Sequence, residues 1–324
     1  MIKVKAIDSK TWIKVVNNFE CRTIYHLLLD EWCKCGLING KVYYLIFESP
    51  SISVGVPLIK QSKFVIFPVT CSSGPLIHWL GLCFSTHIPD YRKRIDLLTS
   101  IGNYLKKHFL YLKITNSPYV NDIRPFLWLN FRSHINYEYA FIGSEEIRKR
   151  QQKYKKSLRS AIKYAEKNGI SVKEVSIGYN LQKWLFEHKK ELSRGKQRFE
   201  LSNLTKVIHL LRILEDLKLI RTYISLLPEG QIASAEVFIV DEKFEEAYRF
   251  LAFVSEIGRK KQAGSYTLDQ ALECLLRQNI ATIHLMGGNT KELSYFISQF
   301  SPQLISYYTI TSIKIRPRLI PSIY

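Results

Sequence analysis

Two α+β domains of similar design are what this sequence predicts, on three observations. Its 324 residues exceed the roughly 100–200 that one domain needs. Its halves read as the same succession of strands and helices, the signature of an internal duplication. A strongly basic helical segment lies between them. Hydrophobic residues make up 46% and charged residues 23%, the balance of a chain that folds rather than of a disordered one.

The elements follow from periodicity. A strand at 2–7 opens the first half, followed by apolar-periodic helical segments, 24–33 among them, and by consecutive strands at 42–47, 52–59 and 64–69. A helix at about 91–109, a short strand at 111–114, a helical stretch at 120–129 and an alternating strand at 134–141 complete it. The second half opens with a strand at 170–175 and helices near 181–192 and 204–217, then gives strands at 220–227, 232–240 and 247–254. A helix from Ser265 or Tyr266 to Gln278, a strand at 281–286, a helix at 290–300 and strands over 304–315 close the chain. Each half therefore reads strand, two helices, three strands, helix, strand, helix, strand, which is a mixed order with a largely antiparallel start. The expected domains are 1–142 and 143–324.

No charged residue falls between Lys63 and Asp90, long enough to test against the ~20 apolar residues of a membrane span. Pro68 and Ser72-Ser73-Gly74-Pro75 divide that run into two strand-like pieces, 64–70 and 76–82, so no transmembrane segment is expected. The first residues lack the basic-then-apolar order of a signal peptide. The six cysteines are scattered, as expected of a reduced, cytoplasmic setting.

The junction segment carries the clearest local signals. Ser144 stands as N-cap, Glu145 and Glu146 occupy the first turn, and Asn168-Gly169 ends a basic helix expected over 144–169. From 147 to 173 there are ten Lys/Arg against the single acid Glu166, and Tyr154, Leu158, Ala161, Ile162 and Ala165 fall on one face. Such a helix is a solvated charged face, a surface for an anionic ligand, or a peripheral membrane contact; Arg159 and Lys163 are its candidate anion contacts. The net charge of +19 draws anionic partners generally, nucleic acid, nucleotide cofactors and acidic membranes alike.

Two strand-to-helix turns in the second half suit a ligand. Arg259-Lys260-Lys261-Gln262-Ala263-Gly264-Ser265 opens a helix, where backbone N–H groups and the helix dipole hold phosphate; the alternative is a basic surface turn. Gly287-Gly288 permits positive φ or close backbone approach to a ligand or a neighbouring strand, or makes a plain turn. His284 has no second histidine at metal-ligand spacing, so it reads as a buried structural residue, and no metal site is expected. For proton transfer the candidates are Glu236, if its strand face lines a cleft, and Tyr295 on the helix after the double glycine; the ordinary readings are a charge on the solvent face of a strand for Glu236 and core or surface packing for Tyr295. GxSxG, GxxxxGK[ST] and HExxH motifs are lacking, which counts against hydrolase, P-loop and zinc-protease chemistry.

The residues then resemble a known group. Tyr25-His26 followed by Trp32, Val56-Pro57-Leu58, Ser73-Gly74-Pro75-Leu76, the run from Lys156 to Ile170, Arg194-Gly195, and Gly287 with the helix to Phe300 are similar to motifs of the Fem-type proteins, which carry two tandem GNAT-like domains. That resemblance implies mixed, mostly antiparallel sheets flanked by helices. It also implies transfer of an acyl or aminoacyl group from acyl-CoA or aminoacyl-tRNA to an amine or hydroxyl, with acceptors drawn from cell-envelope or polysaccharide precursors. In that scheme the backbone of Phe253, Val254 and Ser255 would meet the carbonyl, Arg259, Gln262, Gly264 and Ser265 the donor phosphates, and Glu236 or Tyr295 would move protons. The chain departs from the pattern by placing Gln262 where the first phosphate-loop glycine stands, by placing His284 at a frequent aspartate, and by lacking a long paired-helix arm. An aminoacyl-tRNA-dependent peptide ligase and a non-catalytic RNA- or nucleotide-binding protein on the same scaffold are the alternative readings.

Overall fold

A computed structural model describes residues 2–61, 69–71, 76–88, 90–187 and 201–314. The chain forms two compact units, Met1–Asn136 with Ser306–Tyr324, and Tyr137–Ile305.

In the first unit β1 (Lys3–Ile7) precedes α1 (Ser9–Val16) and α2 (Tyr25–Lys34), and then β2 (Lys41–Glu48), β3 (Ser53–Gln61) and β4 (Val69–Cys71) follow. A two-residue strand, β5 (Cys83–Phe84), leads to α3 (Tyr91–His108), β6 (Tyr111–Thr115) and α4 (Arg124–Trp128). The sheet order is β1-β2-β3-β4-β6, closed by the last described strand, β13 (Gln303–Ile313), on β6. Every step along this path is antiparallel except β4 to β6. A parallel step needs a crossover, which α3 supplies. Asp90 caps α3 by accepting from the N–H groups of Arg92 at 3.0 Å and Lys93 at 3.1 Å. Leu97, Leu98, Ile101 and Leu105 bury its apolar stripe in the unit's core, and basic residues in its last turn complement the helix dipole.

The second unit repeats the plan. After β7 (Arg132–Ile142) come α5 (Ser144–Lys153), α6 (Lys156–Lys167) and β8 (Ser171–Val175), then α7 (Tyr179–Glu187) and α8 (Leu201–Asp216). The strands β9 (Ile220–Leu226), β10 (Ile232–Asp241) and β11 (Glu246–Val254) form an antiparallel run with β8. A short helix α9 (Glu256–Lys260) and the crossover helix α10 (Ala263–Arg277) lead to β12 (Thr282–Met286), parallel to β11. The helix α11 (Lys291–Ser298) follows. Residues 139–142 of β7 pair antiparallel with β12 and complete this sheet. Leu268, Ala271, Leu272 and Leu275 of α10 pack on Phe238, Val240, Ile283 and Leu285 of the strands.

The duplicated order is as expected, and the last strand is allotted differently. β13 completes the first unit, where the sequence had placed it in the second. Residues 76–82 form no strand, and the remainder of the expected 64–70 strand before Val69 lies outside the described residues. Instead of one junction helix there are two, separated by extended backbone at Tyr154 and Lys155. The break has a cause in side-chain chemistry. Tyr154 is buried and donates from its hydroxyl to Asp269 Oδ1 at 2.7 Å, and the Lys155 N–H donates to the Gln299 carbonyl at 3.1 Å. Arg150, counted above with the basic face, is buried and reaches Glu273 at 3.1 Å and Asp269 at 3.4 Å. The expected cap is also shifted: Gly143, at φ 91°, precedes the first turn, and Glu146 reaches back to accept from the Ile142 N–H at 2.9 Å.

Candidate functional site

The second unit contains a gap in its sheet. β11 is nine residues long, yet it pairs with β12 only over Glu246–Thr282, Ala247–Ile283 and Tyr248–His284. On the other side of β11, pairing with β10 continues to Val254, with a bulge between Val237 and Phe238. Among the described residues no strand pairs with this edge of β11 beyond Tyr248, and it is the open edge of the sheet there. Along an antiparallel strand each residue directs its N–H and C=O to one side and the next residue directs them to the other. The Ser255 N–H donates to the Ala233 carbonyl at 3.0 Å, toward β10, so Val254 and Ala252 direct theirs to the open edge. The sequence expectation named Phe253, Val254 and Ser255. Only Val254 faces the gap, while Phe253 is buried in register with Ala235. Ser255 is committed twice over, since its hydroxyl also donates to Ala233 O at 3.0 Å and accepts from the Gly258 N–H at 3.1 Å.

The turn from β11 to α10 carries the anion-cradle candidates. Gln262 holds φ at 59°, in the left-handed region. Its backbone thus has the conformation that a glycine would adopt there without a Cβ penalty. Gly264 is buried, and a Cβ on it would lie 2.8 Å from Val254 Cγ2, so the missing side chain lets the first turn of α10 settle on the end of β11. Ser265 is buried in the same turn. Gly258, not singled out from the sequence, is tighter still, its Cβ position being 2.2 Å from the Ala233 carbonyl oxygen. Arg259 is exposed. Lys260 pairs with Glu256 at 3.3 Å, and Lys261 donates to Asn168 Oδ1 at 3.0 Å, tying this turn to the end of α6. On α6, Arg159 and Lys163 are both exposed and one helical turn apart, and Leu158 and Ala165 are buried.

The proton-transfer candidates are less alike than the sequence implied. Glu236 does not line an open face: it is 1% exposed, and Arg249 donates to both its carboxylate oxygens at 2.7 Å. Burial raises its carboxyl above the ordinary value against the pull of Arg249. Tyr295 lies at the other extreme, 69% exposed, with Lys155 Nζ 5.9 Å from the ring centroid.

A third acid–base group stands where β11 and β12 part. His284 is buried as expected, stacked on Tyr248 with ring centroids 4.8 Å apart and planes at 9°. Its Nδ1 lies 3.3 Å from Glu138 Oε1, and Tyr248 donates its hydroxyl to Glu246. Burial opposes the charged ring, yet Glu138, with Glu246 beyond it, raises the His284 pKa overall. Glu138 was invisible to motif reading because it belongs to β7, some 146 residues away in the chain. Gly287 and Gly288 show both behaviours that paired glycines allow. Gly287 takes φ 75°, and Gly288 approaches so closely that a Cβ would lie 2.5 Å from the Tyr137 carbonyl.

The first unit is built differently at the matching place. There the connection from strand to crossover helix spans 72–90, and its described part folds onto the end of β6. Leu80 N–H donates to Thr115 O at 3.2 Å and Leu82 N–H to Asn116 Oδ1 at 3.1 Å. Trp79, Leu80 and Leu82 are fully buried, and His26 Nε2 meets the Gly81 carbonyl at 3.2 Å. Among the described residues no group of His, Cys, Asp and Glu is placed to hold a metal ion, and no helix is long and apolar enough to cross a membrane. Arg194-Gly195 lie outside the described residues.

No protein-family model matches the chain, and no curated protein matches it by sequence. Solved structures do match it in fold. A crystal structure of FemX superposes with a TM-score of 0.66 at 9% identity, covering 94% of this chain and 96% of that one. The C-terminal domain of a putative lysylphosphatidylglycerol synthetase from Agrobacterium fabrum gives 0.52 at 12% identity, covering 94% and 92%. A tandem GNAT protein from the clavulanic acid biosynthesis pathway gives 0.52 at 8% identity, covering 96% and 98%. The architecture is thus that of two GNAT-like domains, similar to Fem-type and tandem GNAT structures end to end.

Proposed function

We propose, taking the tandem GNAT fold as premise, that this protein transfers an acyl or aminoacyl group to an amine, and that the second unit carries the reaction. The observation that carries this reading is the early end of the β11–β12 pairing, which turns the Ala252 and Val254 N–H groups to an open edge. A donor carbonyl lying along that edge would accept from them. Hydrogen-bond donors already in place where negative charge develops stabilise the tetrahedral intermediate without reorganisation. The rest of the catalysis is orientation of donor and acceptor.

Two donors suit the turn that follows. Acyl-CoA would place its phosphates at residues 259–265, with Arg259 in α9, Gln262 as the cap of α10, and Gly264 and Ser265 in the first turn of α10. Aminoacyl-tRNA would use the exposed cations of α6, Arg159 and Lys163 among them. The prior commitments of Lys260 and Lys261 to Glu256 and Asn168, together with the exposure of the α6 cations, favour the RNA donor. A non-catalytic RNA-binding protein would share that surface and differ by lacking transfer. The acceptor class is an amine, with cell-envelope or polysaccharide precursors as the proposed source, and the setting is cytoplasmic, with peripheral membrane contact open to α6.

The test is thermal unfolding with acetyl-CoA, with bulk aminoacylated tRNA and with buffer, since a ligand that binds only the folded state raises apparent stability by mass action. A salt-sensitive shift with tRNA, lost in the Arg159→Ala/Lys163→Ala double variant, is expected. A shift with acetyl-CoA alone would assign the small-molecule donor. Silence with both would overturn the transferase reading.

A further inference from the structure

The first unit holds a cavity of about 570 Å³, within the roughly 300–1,000 Å³ typical of small-molecule sites, and the transfer reaction leaves it unused. Its walls are the first turn of α3, the connection from β6 to α4, α4 itself and the strands β7 and β13, and every lining residue belongs to that unit. These walls reach solvent. Tyr91, Leu127 and Ile135 are exposed large apolar side chains, and all three line this one hollow. Exposed apolar residues scattered singly need no explanation, whereas several around one concavity mark a binding surface.

The polar side chains of the same walls suit an anion. Arg124 lies over Tyr91, its guanidinium carbon 4.9 Å from the ring centroid, and it donates from Nε to Asp122 Oδ1 and from Nη2 to Oδ2, each at 2.9 Å. Asp122 is thereby occupied: hydrogen bonds from Arg124 hold its carboxyl below the ordinary value against its burial, and the charges of Arg124 and Arg94 add to this. Asp90, at the start of α3, is occupied too, by the N–H groups of Arg92 and Lys93 and by Lys93 Nζ at 3.3 Å. Arg94 is different. Its Nη2 donates to the Ile88 carbonyl at 2.6 Å and its Nη1 to Asn121 Oδ1 at 3.4 Å, so neutral acceptors fix the guanidinium and no carboxylate among the described residues pairs with it. Two guanidinium groups share one carboxylate in these walls, and half-buried Arg94 leaves the cavity with a net positive charge. A guanidinium already held in place, with donors to spare, is suited to a carboxylate or phosphate. The Ser133 hydroxyl and the Asn121 side-chain nitrogen, in the same wall, add neutral donors.

We propose that this cavity binds an organic anion carried on a flat aromatic body, with the anionic group on Arg94 and the ring against the Tyr91–Arg124 stack, Leu127 and Ile135. A ring suits it better than a chain for two reasons. The Arg124 guanidinium, pinned by Asp122 and backed by Tyr91, is a preformed stacking surface, and a flexible chain loses more conformational freedom for the same contact. A bare inorganic anion would leave the apolar wall in water. The site is separate from transfer in the second unit, so it stands or falls apart from that reading.

Isothermal titration calorimetry on the full chain, with circular dichroism to check the fold of each variant, tests this with indole-3-acetate, phenyl phosphate, indole-3-acetamide, decanoate and inorganic phosphate. At least one of the two aromatic anions is expected to bind, and the tighter of them names a carboxylate or a phosphate as the source of charge. Indole-3-acetamide keeps the ring without the charge and is expected to bind at least about tenfold more weakly, the effect of losing one charged hydrogen-bonded contact. Decanoate and inorganic phosphate are expected to be weaker than the aromatic anions as well. Arg94→Gln, which removes the charge, and Ile135→Glu, which sets a carboxylate on the wall, should each weaken binding by tenfold or more. Ile135 is exposed, so Ile135→Glu decides the matter should Arg94→Gln not fold. Silence with both aromatic anions, equal binding of indole-3-acetamide, tighter binding of decanoate or inorganic phosphate, or undiminished binding by folded Ile135→Glu would each overturn the proposal.

Discussion

Glu236 shows how little a residue's type says until its neighbours are known. A glutamate in an apolar strand invites a catalytic role, yet its two oxygens are held by Arg249 at 2.7 Å, with side chains 2% and 7% exposed. Taking two charges out of water is repaid only while both remain paired. Glu236→Ala would strand a buried guanidinium, so we expect a loss of about 3–5 kcal/mol in denaturant unfolding, whereas loss of a surface base would leave stability within ~0.5 kcal/mol. His284 gives the converse. Read from the sequence as a structural histidine, it is buried as expected, but its partner comes from β7 and no local pattern announces it. The sequence names the residues in both cases, and register decides their partners.

At the scale of single elements, the connection between β11 and α10 was legible as a strand-to-helix turn, and its phosphate-loop likeness was legible too. The substitution of glutamine for glycine reads from the sequence as a defect. Its backbone shows a retained geometry instead, since Gln262 keeps φ 59°. A side chain in that region costs about 1–2 kcal/mol, and glycine's extra freedom in the unfolded chain returns part of this. Gln262→Gly is therefore expected to stabilise the protein by up to about 1 kcal/mol in thermal or denaturant unfolding. A destabilised variant would mean that the glutamine side chain itself holds the turn. The basic segment shows the limit of periodicity. Its composition and ends were readable, but the split into α5 and α6 was not. What breaks the helix is the hydrogen bond of Tyr154 to Asp269 and of the Lys155 N–H to the Gln299 carbonyl, partners more than 100 residues downstream.

For the whole molecule, the duplicated order of elements was visible from alternation and helical spacing alone, because those periods are set by local geometry. The assignment of the closing strands was not. β7 follows the first unit's elements yet completes the second unit's sheet through β12, and β13, the last described strand, completes the first through β6. A division at 142/143 follows sequence order and removes from the first unit a strand that contributes Ile310 to its core. A chain truncated after Pro302 is expected to lose the cooperative unfolding of the first unit and to expose apolar surface there, as read by near-ultraviolet circular dichroism and dye binding. Retention of a native first unit would show that β6 tolerates an open edge.

The sequence by itself determined the two-unit plan, the kinds and order of most elements, the absence of common hydrolase and phosphate-loop motifs, and the place of the strand-to-helix turn between β11 and α10. These are consequences of hydrophobic period, turn chemistry and charge, which act over a few residues. Only the tertiary structure decided where β11 and β12 part, which N–H groups face the gap, that Glu236 is spent on Arg249, and that Glu138 meets His284. Strand register brings such groups together across 13 to 146 residues of chain, and register is fixed by which faces can be buried together once the whole sheet has formed.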